Sequence, residues 1–168
     1  MSQIEVEKLF KIAQENYNKK NYLEAQNCLN KILKLDPKNL SALINLSLCY
    51  FDTKNFEQAE LILKKIVKIK INVPNVLSQL IIVLEKQDKI NEAIHYINLG
   101  IEEKILDERW LIREKIILPM IFEDKDDVKS SRNRLDKNLN EILNSKTKIT
   151  LDINNQLLKP PHFELSYD

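Results

Sequence analysis

The side chains best suited to chemistry in this sequence are few, and they form no recognisable set. Asp124, Asp126 and Asp127 stand close together, and closely spaced carboxylates are typical calcium ligands. The segment lacks the glycine and the later bidentate glutamate that a calcium loop needs at fixed spacing. We therefore predict that these aspartates begin a helix, whose N-terminal dipole favours negative charge.

The histidines and cysteines also lack partners at suitable spacing. His95 has no cysteine, histidine or carboxylate pair at a metal-like spacing, and we expect a structural role for it and for His162. Cys28 and Cys49 fall within predicted helices, so we expect reduced core thiols. Phosphate-binding glycine motifs and a zinc-protease motif are absent from the sequence. The sequence thus predicts no catalytic, cofactor-binding or metal-binding residue, and no cofactor.

Charge and composition narrow the choice of partner and location. Lys and Arg number 26 against 25 Asp and Glu, so nothing demands nucleic acid or anionic lipid. The single glycine is typical of all-helical proteins, because other classes need glycines for turns and bulges. Residues 1–8 lack the apolar region of a signal peptide, and residues 76–84 are too short to span a bilayer. We expect a cytoplasmic location and no membrane or nucleic-acid partner.

Apolar and small residues recur with a step of 34 residues, and this step identifies the elements that position everything else. Ala25, Ala59 and Ala93 share one register. Four further position classes repeat at the same step: Tyr22, Phe56 and Ile90; Leu9, Leu43 and Leu77; Ile12, Leu46 and Leu80; and Leu29, Leu63 and Ile97. Such a period predicts helix-turn-helix units that stack into a solenoid, and therefore a binding surface rather than a catalytic pocket.

These positions divide residues 1–106 into three repeats, at about 6–39, 40–73 and 74–107. Asn21 is predicted to separate the two helices of the first repeat, because asparagine favours turns and caps. Pro37 is predicted to end the second helix. The small residues have a physical purpose, since they let paired helix axes approach closely where they cross: Ala13, Ser47, Ala25, Ala59 and Ala93. Ile81 departs from this rule, and Gly100 opens space later in the same unit.

The pattern resembles the tetratricopeptide repeat over residues 6–105. The first repeat shows the expected residues Leu9, Ile12, Ala13, Tyr22, Ala25, Leu29, Ile32 and Pro37. Ile71 and Lys104-Ile105 depart from it, where the family usually has proline. The resemblance implies an all-α fold, a right-handed superhelix of three helix-turn-helix repeats with a C-terminal capping helical segment.

The repeat register ends after Leu106, since the next place after Ala93 is held by Asp127. Residues 107–145 are predicted to form non-repeat capping helices with a polar outer face. The first begins near Asp107 and ends at Pro119, and the second covers 126–145. The second has an apolar stripe of Val128, Leu135, Leu139, Ile142 and Leu143, with Arg132, Arg134, Lys137 and Glu141 on its other faces. We expect an irregular tail over 146–168, where Pro160-Pro161 excludes helix, or alternatively the start of a missing domain.

A second resemblance involves residues after the repeats. Residues 117–122 resemble an L-P-x-I-Y element, although Phe122 stands where tyrosine is usual. Arg132, Leu135 and Leu139 resemble the helix that follows it, and residues 162–167 resemble an F-x-L-x-Y strand. Together they are similar to the junction between repeats and catalytic region in SPINDLY-type O-linked N-acetylglucosamine transferases. The resemblance implies a substrate-recognition fragment of a glycosyltransferase. None of that family's catalytic motifs lies within these residues, so no catalytic residue is implied.

The repeat register also predicts which side chains line a concave face. They belong to the first helix of each repeat: Phe10, Lys11, Gln14, Asn18, Ser41, Ile44, Asn45, Leu48, Asp52, Gln79, Ile82 and Lys86. Asn45 occupies the place where O-linked N-acetylglucosamine transferases carry asparagines that hold a peptide backbone. Lys11 and Gln79 depart from that ladder, and ordinary solvated helix residues remain the alternative.

The function predicted from these features is a protein- or peptide-binding scaffold with no catalysis of its own. Tetratricopeptide modules that bind a C-terminal carboxylate use a set of Lys, Asn and Arg across adjacent repeats. The corresponding places here give no cationic pair, so we expect no such receptor; they hold Phe10, Gln14, Asn45, Asn75 and Gln79. Phe10, Ile44, Leu48 and Ile82 make the groove partly apolar, which favours an extended peptide or a helix. Two alternatives stay open: the transferase fragment, and an assembly adaptor that self-associates through its end repeats.

Overall fold

The computed structural model describes residues 3–107, 109–119 and 121–144, and this part of the chain contains eight helices and no strand. The helices are α1 (Gln3–Asn18), α2 (Tyr22–Leu35), α3 (Leu40–Asp52), α4 (Phe56–Ile69), α5 (Pro74–Lys86), α6 (Ile90–Glu102), α7 (Arg109–Ile116) and α8 (Lys125–Asn144). The predicted all-α class is confirmed. The predicted tail over 146–168, with Pro160-Pro161, His162 and the strand-like segment, lies outside the described residues, as does Met120.

The chain divides into two compact units, Met1–Gln87 and Asp88–Asp168. In the first unit each helix packs on the next, from α1 through α5. In the second unit α7 contacts both α6 and α8. The division falls between the two helices of the third predicted repeat.

The turn after each first helix has the same backbone conformation. Lys20, Lys54 and Asp88 all have φ near 60°, in the left-handed region, and they are spaced at the repeat period. After Lys54, the Asn55 amide donates to the Tyr50 carbonyl at 2.9 Å, which closes the helix in a Schellman motif. The sequence did not reveal this conformation, because glycine usually holds such a position.

The small residues of the period lie where the sequence placed them. Ala25, Ala59 and Ala93 are fully buried, and Ala13 and Ser47 are buried too. Because these side chains are short, neighbouring helices approach closely and their larger residues interdigitate. The fully buried large side chains include Leu29, Ile32, Leu43, Leu63, Ile66, Leu77, Leu80 and Leu84.

The aspartates before α8 act as the sequence predicted. One carboxylate oxygen of Asp124 accepts the backbone amides of Asp126 and Asp127, each at 2.8 Å. This is the hydrogen bonding of a helix N-terminus, where the first amides lack partners within the helix. The helix itself covers Lys125–Asn144, one residue earlier than predicted.

Candidate peptide-binding groove

The twelve residues predicted to line a groove all lie on α1, α3 and α5, and none is buried. Five of them are half-buried: Phe10, Ile44, Leu48, Gln79 and Ile82. The other seven are exposed: Lys11, Gln14, Asn18, Ser41, Asn45, Asp52 and Lys86. The structure therefore leaves the whole predicted set accessible on the three first helices of one compact unit. That they bind a ligand stays a prediction.

Two polar contacts connect these three helices directly. The Tyr17 hydroxyl of α1 donates to the Asp52 carboxylate of α3. The Ser47 hydroxyl of α3 lies 3.5 Å from the Gln79 amide oxygen of α5, and it also donates to the Ile44 carbonyl at 2.7 Å. Because each contact joins side chains more than 30 residues apart in sequence, the pair fixes the relative positions of neighbouring first helices.

Tyr17 was not among the groove residues predicted from the sequence, although its hydroxyl connects α1 to α3. Its ring packs edge-on against Tyr22 at 5.6 Å between centroids, while its hydroxyl reaches Asp52. Burial and the neighbouring carboxylate both raise the tyrosine pKa above its usual range. Asp52 is therefore engaged at the end of α3, and a ligand there would meet a carboxylate already hydrogen-bonded.

A buried thiol lies near the same contact. Burial raises the pKa of Cys49 to about 11, and the charge of Asp52 acts in the same direction. Burial also raises the pKa of Cys28, and both cysteines are free and buried. The thiols thus stay protonated at neutral pH, so they belong to the core and offer no nucleophile.

A buried carboxylate on α4, that of Glu60, is hydrogen-bonded to the residue that follows α5. Glu60 accepts hydrogen bonds from the Lys64 ammonium at 2.7 Å and from the Gln87 side-chain amide at 2.8 Å. Gln87 follows the last turn of α5, so this bond ties the end of α5 to the middle of α4. A polar pair of this kind has no periodic signal, and the sequence analysis missed it.

The predicted set combines amide groups with apolar side chains. Gln14, Asn18, Asn45 and Gln79 each offer a hydrogen-bond donor and an acceptor. The apolar members of the set are Phe10, Ile44, Leu48 and Ile82. The formal charges of the set are those of two lysines and one aspartate.

Across residues 3–107, 109–119 and 121–144, no three metal-ligating side chains come together. None of the helices described there is both long and apolar enough to cross a bilayer.

Comparisons with known proteins support a fold of stacked helical hairpins. The tetratricopeptide repeat family matches residues 19–78. No curated protein matches the sequence. The family match covers α2, α3, α4 and the start of α5.

Solved structures show the same fold at low sequence identity. A MamA protein aligns with TM-score 0.64 and 17% identity, over 83% of this chain and 72% of that one. An O-GlcNAc transferase mutant from Thermobaculum terrenum aligns with TM-score 0.56 and 15% identity, over 82% of this chain. This chain spans only 27% of that transferase chain. The first TPR of Spaghetti, bound to an HSP90 peptide, aligns with TM-score 0.53 and 16% identity, over 86% and 98% of the two chains.

Proposed function

We propose that α1, α3 and α5 form a groove that binds an extended peptide, and that the chain works as a protein-binding scaffold. The observation that carries this proposal is the accessibility of the whole predicted set on three helices joined by direct contacts. The fold agrees, since one similar structure is a TPR bound to a peptide. A surface of this kind acts by binding, and we propose no catalysis for the described residues.

The chemistry of the lining favours a ligand held by its backbone and its apolar side chains. An acidic C-terminal peptide would need several cations, whereas the predicted set offers only Lys11 on α1 and Lys86 on α5, at different positions of the repeat register. Amides pair with a peptide unit whatever its side chain is, and Leu48 and Ile82 add apolar contact. Neutral extended peptides should therefore bind better than acidic ones.

A displayed library of random peptides, selected against the full chain, would supply the probe for a test. We expect selected peptides to be apolar and neutral, and Leu48→Asp combined with Asn45→Ala to weaken their binding by at least about tenfold. The loss arises because a carboxylate at position 48 must be desolvated on binding. Fluorescence anisotropy of a labelled peptide measures the affinity.

The matched control is Leu61→Asp combined with Asn27→Ala, on the second helices. Both residues are exposed, so the pair introduces the same changes away from the groove. Equal loss of affinity in the two double variants would contradict the groove assignment. Circular dichroism of each variant checks that the helices are retained.

The second candidate function is substrate recognition for a glycosyltransferase, favoured by the likeness to the transferase from Thermobaculum terrenum. This chain matches about a quarter of that protein, and the junction-like residues 117–122 follow the repeats. The reading frame that encodes the chain decides between the two. A continuation with alternating strands and helices would favour the transferase, and a stop codon after Asp168 would exclude it.

We also propose a cytoplasmic location. The two free, buried thiols agree with a reducing compartment, where cysteines stay unpaired. Cell fractionation with an epitope-tagged chain tests this, and recovery outside the cytoplasmic fraction would contradict it.

A further inference from the structure

The most unusual surface outside the groove belongs to α8. Val128, Leu135, Leu139 and Leu143 lie on one face of this helix, at spacings that bring side chains into line. Leu143 is 80% exposed, Val128 43% and Leu139 40%. Leu139 and Leu143 are one turn apart and form one exposed apolar patch, whereas Arg132 and half-buried Leu135 lie between this patch and Val128.

The contacts between α8 and α7 include several polar side chains, and Leu135 and Ile142 of α8 are half-buried. Asn138 donates to the Lys115 carbonyl at 2.8 Å, and Arg134 donates to the Ile117 carbonyl. The Lys115 ammonium lies 2.6 Å from the Glu141 carboxylate. Carbonyls at a helix C-terminus have no partner within the helix, so α8 satisfies the last turn of α7 with side chains.

The sequence predicted an apolar stripe on one side of α8 and charged residues on its other faces. Within that stripe Val128, Leu139 and Leu143 are exposed, whereas Leu135 and Ile142 are half-buried. Arg134 and Glu141, predicted on the other faces, contact α7. Ser131, which precedes them on the same side, is buried.

Cations accompany the exposed stripe. Arg132 falls between Val128 and Leu135 in the same row, and Lys125 and Lys129 flank its first turns. All three are exposed, and within the described residues none forms an ion pair. The stripe is therefore apolar over its second half and basic over its first half.

We propose that this face of α8, the row Val128, Arg132, Leu135, Leu139 and Leu143, docks an amphipathic helix with an apolar stripe and carboxylates beside it. Helix-in-groove pairing buries the leucines, and Glu or Asp of the partner would face the cations. A second copy of α8 supplies the same cations and only Asp136 near the row, so charge complementarity favours an acidic partner.

Two synthetic helical peptides of the same length as α8 test the proposal with the full chain. They share one leucine stripe, and one carries glutamates beside it where the other carries lysines. We expect the acidic peptide to bind at least about tenfold more tightly than the basic one, and to bind more weakly as salt rises. Isothermal titration measures both affinities.

Variants of α8 locate the binding. We expect Lys129→Glu combined with Arg132→Glu to reverse the preference between the peptides, and Leu139→Lys to abolish binding of both. Lys137→Glu is the matched control, because Lys137 is exposed on the other side of α8, and it should change the acidic peptide's affinity less than about threefold. Equal binding of the two peptides, or no binding of either, would overturn the proposal.

Other occupants give distinct results. Sedimentation velocity that shows a dimer lost with Leu139→Lys would assign the face to a second copy, and flotation on phosphatidylserine vesicles without peptide binding would assign it to a membrane. Each of these outcomes overturns the acidic helix. None of these measurements involves the groove on α1, α3 and α5, so its peptide binding can fail independently.

Discussion

The repeat hairpins and the α7–α8 pair solve the same packing problem in different ways. In the hairpins, fully buried Ala25 and Ala59 let apolar ridges interlock across the helix interface. Between α7 and α8 the contacts include hydrogen bonds from Arg134 and Asn138 to backbone carbonyls. Both regions expose large apolar side chains, Leu23 and Leu61 on the hairpins and Leu143 on α8. The regions differ instead in their interfaces, because the hairpins pack through small and apolar residues and the α7–α8 interface adds side-chain hydrogen bonds to the backbone.

The largest expected effect contrasts two leucines of α4. Leu63 is fully buried and Leu61 is 61% exposed. We expect Leu63→Ala to lower the free energy of unfolding by about 2–5 kcal/mol, because it removes apolar contacts and leaves a cavity. Leu61→Ala should change it by less than about 0.5 kcal/mol. Urea denaturation followed by circular dichroism measures both, and similar losses would mean that the helix packs by its other face.

The α7–α8 pair should show the reverse sensitivity. Asn138→Ala removes a partly buried hydrogen bond, which contributes about 1 kcal/mol. Asn140→Ala is the control for helix propensity, since Asn140 is exposed on the same helix. The free energy of unfolding should fall less with Leu139→Ala than with Asn138→Ala, once the change caused by Asn140→Ala has been subtracted from the Asn138→Ala value. Hydrogen exchange across α8 measures the differences, and a larger cost for Leu139→Ala would contradict the polar interface.

Sequence periodicity predicted the hairpins well because their packing repeats. Equivalent positions of the repeats pack against neighbours of the same type. The burial expected for Ala59 is therefore also expected for Ala25 and Ala93. The contacts of α8 could not be predicted in this way, because Arg134 and Asn138 donate to the backbone carbonyls of Ile117 and Lys115, and such hydrogen bonds have no periodic signal in the sequence. The twelve groove residues were predicted from the repeat register alone. The contact between Tyr17 and Asp52 could be found only in the three-dimensional structure.

The turns of the hairpins offer a smaller, stabilising change. Lys54 has φ 58°, a conformation that a residue with a Cβ atom adopts at a cost. We expect Lys54→Gly to raise the free energy of unfolding by about 0.5–1 kcal/mol, the relief of strain less the added freedom of the unfolded chain. Thermal denaturation measures the gain. Lys65→Gly, at an exposed site inside α4, should instead destabilise by about 1 kcal/mol.

The stability of the repeat hairpins should depend on alkaline pH, and that of the α7–α8 pair on acidic pH. Folding raises the pKa of Cys49 from about 9 to about 11, so its contribution is present below pH 9 and is lost as the pH rises towards 11. Lys115 lowers the pKa of Glu141 in the folded protein. The contribution of the Glu141 carboxylate to stability is smaller, and it is lost as the pH falls through this lowered pKa. We expect Cys49→Ala to flatten the alkaline decline in melting temperature and Glu141→Gln to flatten only the acid one. If the alkaline decline in melting temperature is unchanged in Cys49→Ala, the Cys49 thiol is not its cause.

The central claim, that the first helices bind a peptide, can be read directly from methyl signals. Isotope-labelled Ile44, Leu48 and Ile82 report on the groove, and the exposed Leu23 and Leu61 report on the second helices. During titration with a selected neutral peptide, the account predicts saturable shifts of the three groove methyl signals and unmoved signals from the two outer leucines. Shifts at Leu23 and Leu61, with the groove signals unchanged, would contradict it.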